Sequence, residues 1–354
     1  MNRRDALMLM AAGAAHAVAG SSWAAPPSGE LKSSLGLVVY TLALRRKAIQ
    51  SEEPKQDLFE PLTYLDYCRS RGAGGVQLPL GVRDVQYCRN LRERATQYGM
   101  FVEGIVSLPQ NDRDVERFEA EVRTAGEMGV LVVRTASMPG RRYEQFESLQ
   151  EFQAAAEQSR QALARAVPIL EKHRVRLAIE NHKDRRVEEQ VALLRATGSE
   201  YVGACVDLGN NFALLEDPIA VVEALAPWAY SVHLKDQAVE EYDEGFLFAD
   251  VPLGDGFLDI KRMIETLRRA KPEVRFSLET LTRDPLKVPV LTEKYWATLP
   301  GVPGSDLART LRIVRAKRAG QLRYIGRLPI DEQVAYESAG IDKSLDYAYR
   351  VLGM

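Results

Sequence analysis

Between Leu35 and Thr280, short apolar runs rich in β-branched residues alternate with longer stretches in which apolar residues return every three or four positions. The first kind predicts strands at Leu35–Tyr40, Gly75–Leu78, Phe101–Ser107, Leu131–Thr135, Arg176–Asn181, Tyr201–Leu208, Tyr230–Leu234 and Val274–Thr280. The second kind predicts amphipathic helices, as over Asp114–Met128 and Leu149–His173. Regular alternation of this sort is the pattern of βα units around a parallel sheet, and eight units are what a closed (β/α)8 barrel requires. A doubly wound sheet of the Rossmann type is the alternative, but no glycine fingerprint follows any strand. No linker, repeat or low-complexity tract interrupts Gly36 to Thr280. One domain spanning 31–354 is therefore expected, with a C-terminal helical extension over 287–354. Helical segments are expected there near Ser305–Ala319 and Ile341–Leu352, after a Pro- and Gly-containing loop that crosses the barrel face.

A barrel of this class builds its active site at the C-terminal strand ends, so the residues that end each strand carry the chemistry. Leu177-Ala178-Ile179 runs into Glu180-Asn181-His182, and Ala204-Cys205-Val206 into Asp207, with Asn210 just beyond. Ser231-Val232 runs into His233-Leu234-Lys235-Asp236, and Phe276-Ser277-Leu278 into Glu279. Three carboxylates and an imidazole thus arrive from four consecutive strands. The set is hard and oxygen-rich, suited to one divalent metal: Mn²⁺, Mg²⁺ or Co²⁺, with Zn²⁺ a further candidate. Without a cation, carboxylates so gathered would repel one another and raise each other's pKa.

Strand parity sends His182 to the same side as Glu180, and Lys235 to the same side as His233. His182 then stands as a substrate contact or acid/base beside the metal, and Lys235 as a substrate contact. Asp236 points away, where it can orient a neighbouring group. Asn210, Arg134, Gln77 and Glu103 complete the candidate substrate-binding set. The last three, on strands two to four, serve equally well as internal hydrogen bonds or ion pairs. The segment between Asp236 and Gly254 is expected to be a long loop, on which Tyr242, Phe246 or Phe248 could pack against a sugar face.

The 354 residues, 46% hydrophobic and 27% charged, are those of an ordinary globular protein. Lys and Arg number 47 against 49 Asp and Glu, a net charge of −2, so no basic excess exists to neutralise a phosphate backbone. Nucleic acid is excluded as a partner. Residues 1–25 carry Arg3-Arg4, a short apolar run and Ser22-Trp23-Ala24-Ala25, the pattern of a twin-arginine export signal with cleavage near Ala24 or Ala25. The mature protein is expected in the periplasm or outside the cell, without a stable membrane anchor. The three cysteines, Cys68, Cys88 and Cys205, read as core residues, with a Cys68–Cys88 bridge left open. The sequence also leaves a homo-oligomer open.

The motifs Ile179-Glu180-Asn181-His182, Val206-Asp207-Leu208-Gly209-Asn210, Val232-His233-Leu234-Lys235-Asp236 and Leu278-Glu279-Thr280, with Leu253-Gly254-Asp255-Gly256, resemble the sugar phosphate isomerase/epimerase family of xylose isomerase-like barrels. That superfamily includes ketose 3-epimerases, hydroxypyruvate isomerase, inosose dehydratase and endonuclease IV. The resemblance runs to about Pro285 and implies that Glu180, Asp207, His233 and Glu279 fill the four metal positions. It further implies that the metal chelates adjacent substrate oxygens, while Glu180 and Glu279 exchange the proton of the carbon between them through an enediolate.

The expected function is an isomerase or epimerase of an unphosphorylated sugar or polyol ketone, a small-molecule carbohydrate. The rival is an exported lyase or dehydratase acting on a ketosugar or 3-keto-glycoside. A non-catalytic sugar-binding protein would not need paired glutamates at a full metal set. An endonuclease IV-like activity needs a metal cluster fed by more histidines than the three outside the signal.

Overall fold

The computed structural model describes residues 33–50 and 57–354, and the expected export signal lies outside them. Eight parallel strands close into a barrel: β1 (Gly36–Val38), β2 (Gly75–Pro79), β3 (Phe101–Ile105), β4 (Val132–Thr135), β5 (Arg176–Glu180), β6 (Val202–Asp207), β7 (Ala229–Leu234) and β10 (Arg275–Leu278). Seven run in sequence order, and β10 closes the ring by pairing with both β7 and β1. Every expected strand is present, trimmed by one or two residues at some ends where loop geometry takes the backbone out of the ladder, and extended by one at Pro79 and Ala229.

Register brings the polar strand ends to one level. Asp207 on β6 lies opposite His233 on β7, and His233 lies opposite Ser277 on β10, two residues before Glu279. Glu180 lies opposite Cys205, two residues before Asp207. One position out of phase with this layer, Leu37, Val76, Val133, Leu177, Val206 and Val232 face outward, fully buried in the main core with the surrounding helices.

The segment expected to be a loop is instead a hairpin, β8 (Asp236–Tyr242) and β9 (Gly245–Val251), with β11 (Leu286–Val288) on its edge. Period-2 alternation in Phe246-Leu247-Phe248-Ala249 carries it: Phe246 and Phe248 point into a second core with Phe212, Tyr295 and Val314. Ring centroids of Phe212 lie 5.4 Å from Phe246 and 5.8 Å from Phe248. Those two phenylalanines are therefore enclosed and offer no face to a sugar. The helix Gly304–Lys317 packs on this small sheet through Val314.

The long C-terminal helix Ile330–Arg350 is no appendage. It follows the last barrel strand, buries Ile341, Leu345 and Ala348 in the main core, and packs on the short helix Ala43–Ile49. Its Glu337 carboxylate accepts the backbone N–H groups of Leu44 and Arg45 at 2.8 and 3.0 Å. All three cysteines are free and buried, so Cys68 and Cys88 form no bridge.

Candidate metal centre

Glu180, Asp207, His233 and Glu279 each offer one donor atom, and these atoms all lie within 4.8 Å of one another. His233 Nδ1 is 3.6 Å from Glu180 Oε2, 3.6 Å from Asp207 Oδ2 and 3.5 Å from Glu279 Oε2. All four residues are buried. Glu180 Oε1, Asp207 Oδ1 and His233 Nδ1 have no hydrogen-bond partner, which is costly for buried polar atoms. Donors about 2.1 Å from a central divalent ion stand roughly 3 Å from each other, so the cage fits such an ion with little adjustment.

The imidazole is aimed from behind. His233 Nε2 is 2.7 Å from Gln77 Oε1, an amide oxygen that can only accept, so Nε2 carries a proton and Nδ1 is the ring nitrogen turned toward the carboxylates. Gln77 is fixed in turn by its amide N–H₂, which donates to Glu103 Oε2 at 2.8 Å and Ser231 Oγ at 3.2 Å, while Ser231 donates to Glu103 at 2.6 Å. Gln77 and Glu103 are thus hydrogen-bonded inside the barrel, beneath the site. Glu103 also lines a cavity of 780 Å³, but that cavity opens at the opposite, N-terminal end of the barrel beside Arg176, Tyr230 and Arg275.

The expected mutual rise of the carboxylate pKa values occurs only at Asp207. Burial, joined by the charge of Glu279, pushes its carboxyl up to about 7 despite Lys235. Burial would raise Glu180 too, but the Arg134 guanidinium reverses this and holds it at about 2. Burial of Glu279 is likewise outweighed by Lys235 and His233, which hold it well below the ordinary range. Lys235 Nζ lies 2.8 Å from Glu279 Oε2 and 2.9 Å from Asp207 Oδ2. Two cations already built into the barrel supply most of the compensation that the sequence pattern assigned to a metal alone.

Around this cage, His182 is half-buried beside Glu180 and Arg134; burial lowers its pKa, favouring the neutral ring, and Nδ1 has no partner. Asn210 uses its amide N–H to reach the Asn181 carbonyl at 3.0 Å, and its Oδ1 accepts from the Lys183 ammonium. Asp236 receives the N–H groups of Gly254, Gly256 and Leu258, and so ties the Leu253–Gly256 turn to the end of β7. At the rim Tyr40 is 37% exposed, its ring 5.7 Å from the Arg134 guanidinium, so it is this aromatic that can meet a ligand.

The xylose isomerase-like TIM barrel family model matches residues 65–298. The chain belongs to that family. A curated relative, the 3-oxo-isoapionate decarboxylase of Pectobacterium atrosepticum, is 33% identical over 110 residues, 30% of this chain and 40% of that protein. Among solved structures, an L-ribulose 3-epimerase superposes with a TM-score of 0.54 at 15% identity, covering 90% of this chain and 96% of its own. A xylose isomerase-like barrel protein of Mycobacterium smegmatis in complex with magnesium gives 0.53 at 14% identity, covering 79% and 98%. At such identities these structures speak for the fold alone.

Within this xylose isomerase-like barrel, strand-end reasoning passed over Lys183. It lies three residues past the end of β5, where parity has lapsed, and a left-handed backbone (φ 69°) turns it into the site, with only 4% of its surface exposed. A cation beside a metal motif is the one hint the sequence offers.

Proposed function

We propose that the protein is a divalent-metal-dependent isomerase or epimerase that removes a carbon-bound proton next to the carbonyl of a sugar or sugar-like polyol. The observation that carries this is the pair of glutamates, delivered by β5 and β10 to opposite sides of one donor cage, with Glu180 Oε1 uncommitted. A divalent ion held by Glu180, Asp207, His233 and Glu279 would act as a Lewis acid on the substrate's carbonyl and its neighbouring hydroxyl. Arg134 and Lys235 keep both glutamates ionised and able to accept a proton. Carboxylates held so far down are weak bases, which fits a proton already acidified by an adjacent polarised carbonyl. One glutamate takes the proton from the substrate carbon, and the other returns a proton to the opposite face or to the neighbouring atom. The neutral His182 ring stands beside Glu180 to hold a substrate hydroxyl or relay its proton. A magnesium-bound neighbour and an L-ribulose 3-epimerase on the same fold support this reading.

The second reading, a lyase, is favoured by the decarboxylase relative. It shares the proton-transfer groups, but the electrons left at the substrate carbon expel a β-substituent, or arise from loss of carbon dioxide. Arg3-Arg4 and the apolar run behind them support export by the twin-arginine route and action outside the cytoplasm. Ketohexoses and 3-keto-glycosides screened with the manganese-loaded protein in D₂O, with products read by NMR, separate the cases. An epimerase places deuterium on the inverted carbon, and a lyase releases a leaving group or carbon dioxide. A product that keeps the substrate hydrogen throughout overturns the proton-abstraction mechanism.

A further inference from the structure

Lys183 is a buried ammonium with no ion-pair partner among the described residues. Its Nζ donates to the neutral Asn210 amide oxygen and forms no ion pair with a carboxylate among the described residues. Asp250, the acidic group that acts on it from the hairpin, has its oxygens on the Leu281 N–H at 3.2 Å and the Gln237 amide at 3.4 Å. Burial, and then the like charge of Lys235, push the Lys183 pKa down to about 8. A cation in such a place is unfavourable unless a partner arrives.

The chain holds it there deliberately in structural terms. The left-handed backbone at Lys183 is one that a long side chain rarely adopts, and several contacts over-determine it. Asp184 Oδ1 accepts from His182 N and Arg185 N at 3.1 and 2.8 Å, and the Lys183 carbonyl accepts from Arg142 N at 3.0 Å. The neighbouring Asn181 bridges to the backbone of Asp207 in both directions, at 2.8 and 2.9 Å.

Lys183 is not required to neutralise the cage. Three carboxylates facing a divalent ion, Arg134 and Lys235 already carry an excess of positive charge before it is counted. Arg283, half-buried on the loop after β10, acts electrostatically on Lys183 and forms no ion pair among the described residues either. Neither cation has a paired carboxylate among the described residues, and the two act on each other across the mouth of the barrel.

We propose that the substrate carries a carboxylate, which the Lys183 ammonium and the Arg283 guanidinium receive at the barrel mouth while the hydroxy-ketone portion faces the four-donor cage. This rests on the metal-dependent sugar reading above and narrows it to sugar acids. One lysine and one arginine match the single charge and two oxygens of a carboxylate, whereas a phosphate brings more charge and a third oxygen to satisfy.

The test is calorimetric binding of three six-carbon ligands to the manganese-loaded full-length mature protein: D-gluconate, D-glucitol and D-glucitol 6-phosphate. They differ in the group at one end: carboxylate, hydroxymethyl or phosphate. Gluconate is expected to bind at least tenfold more tightly than glucitol in the wild type, with that preference abolished in Lys183→Met and largely restored in Lys183→Arg. Manganese affinity and the melting temperature of the metal-free protein are measured for each variant. For Lys183→Met the melting temperature should be unchanged or raised, because a buried unpaired charge has been removed. Equal binding of gluconate and glucitol in the wild type overturns the proposal, as does a preference for the phosphate or a gluconate preference that survives in Lys183→Met. Failure of the sugar reading shows separately, as a wild type that binds gluconate through Lys183 but exchanges no carbon-bound hydrogen in D₂O with any keto acid or ketose.

Discussion

Gln77 shows how a residue can serve a site it never lines. As a polar strand residue it suggests a substrate contact, yet its amide oxygen sits 2.7 Å behind His233 and holds the ring with Nδ1 turned toward the carboxylates. Gln77→Leu should leave the fold intact while lowering divalent-metal affinity by roughly 10- to 100-fold, the usual cost of losing an outer-shell partner, as read by calorimetric titration. A change of less than threefold would remove Gln77 from that role. Asp207 gives the pH dependence. Its carboxyl is raised to about 7, so between the ordinary aspartate value of 3.8 and about 7 the metal-free folded protein keeps a proton that the metal must displace. Metal affinity should fall as the pH drops through 7, because the ion displaces one proton from Asp207 and a second from His233, which the surrounding groups hold charged against its burial; about two protons should be released per ion at pH 6 in calorimetry across buffers. Glu180, Asp207, His233 and Glu279 were legible because each directly ends an apolar run. Gln77 and Lys183 were not, since one depends on contacts across the barrel and the other on a single backbone angle.

The hairpin β8–β9 is the element that local pattern could have revealed and did not. Its strands follow β7 after one residue, and the acidic run Glu240-Glu241 with Asp243-Glu244 masks the alternation that buries Phe246 and Phe248. Gly245 closes it in a backbone region open to glycine (φ 152°), with space so tight that a Cβ would lie 2.3 Å from the Val288 carbonyl oxygen. Gly245→Val should therefore part β9 from β11. Hydrogen exchange is expected to speed up over 236–251 and 286–290, while the barrel strands keep their protection and the metal affinity stays within about threefold. Loss of protection throughout the barrel would show instead that the small sheet and the barrel fold as one unit. The eight barrel strands themselves were readable because buried parallel strands present continuous apolar runs.

At the scale of the whole molecule, the barrel is closed by chain segments far apart in sequence. The first barrel strand pairs with the last, and the helix Ile330–Arg350, which reads as a polar extension, buries Ile341, Leu345 and Ala348 in the main core and packs on the helix that follows the first strand. Its burial was illegible locally because only one face is apolar, and only closure shows what that face meets. Closure is also what gathers donors from β5, β6, β7 and β10 into one cage, so the account stands or falls on whether that cage holds one ion. Elemental analysis and calorimetry on stripped and reloaded protein measure this directly. The account predicts one divalent ion per chain in the wild type, and in a folded Asp207→Ala variant an affinity weakened by more than roughly a hundredfold, beyond the range of an outer-shell loss. An Asp207→Ala protein that binds one ion per chain with unchanged affinity would contradict it.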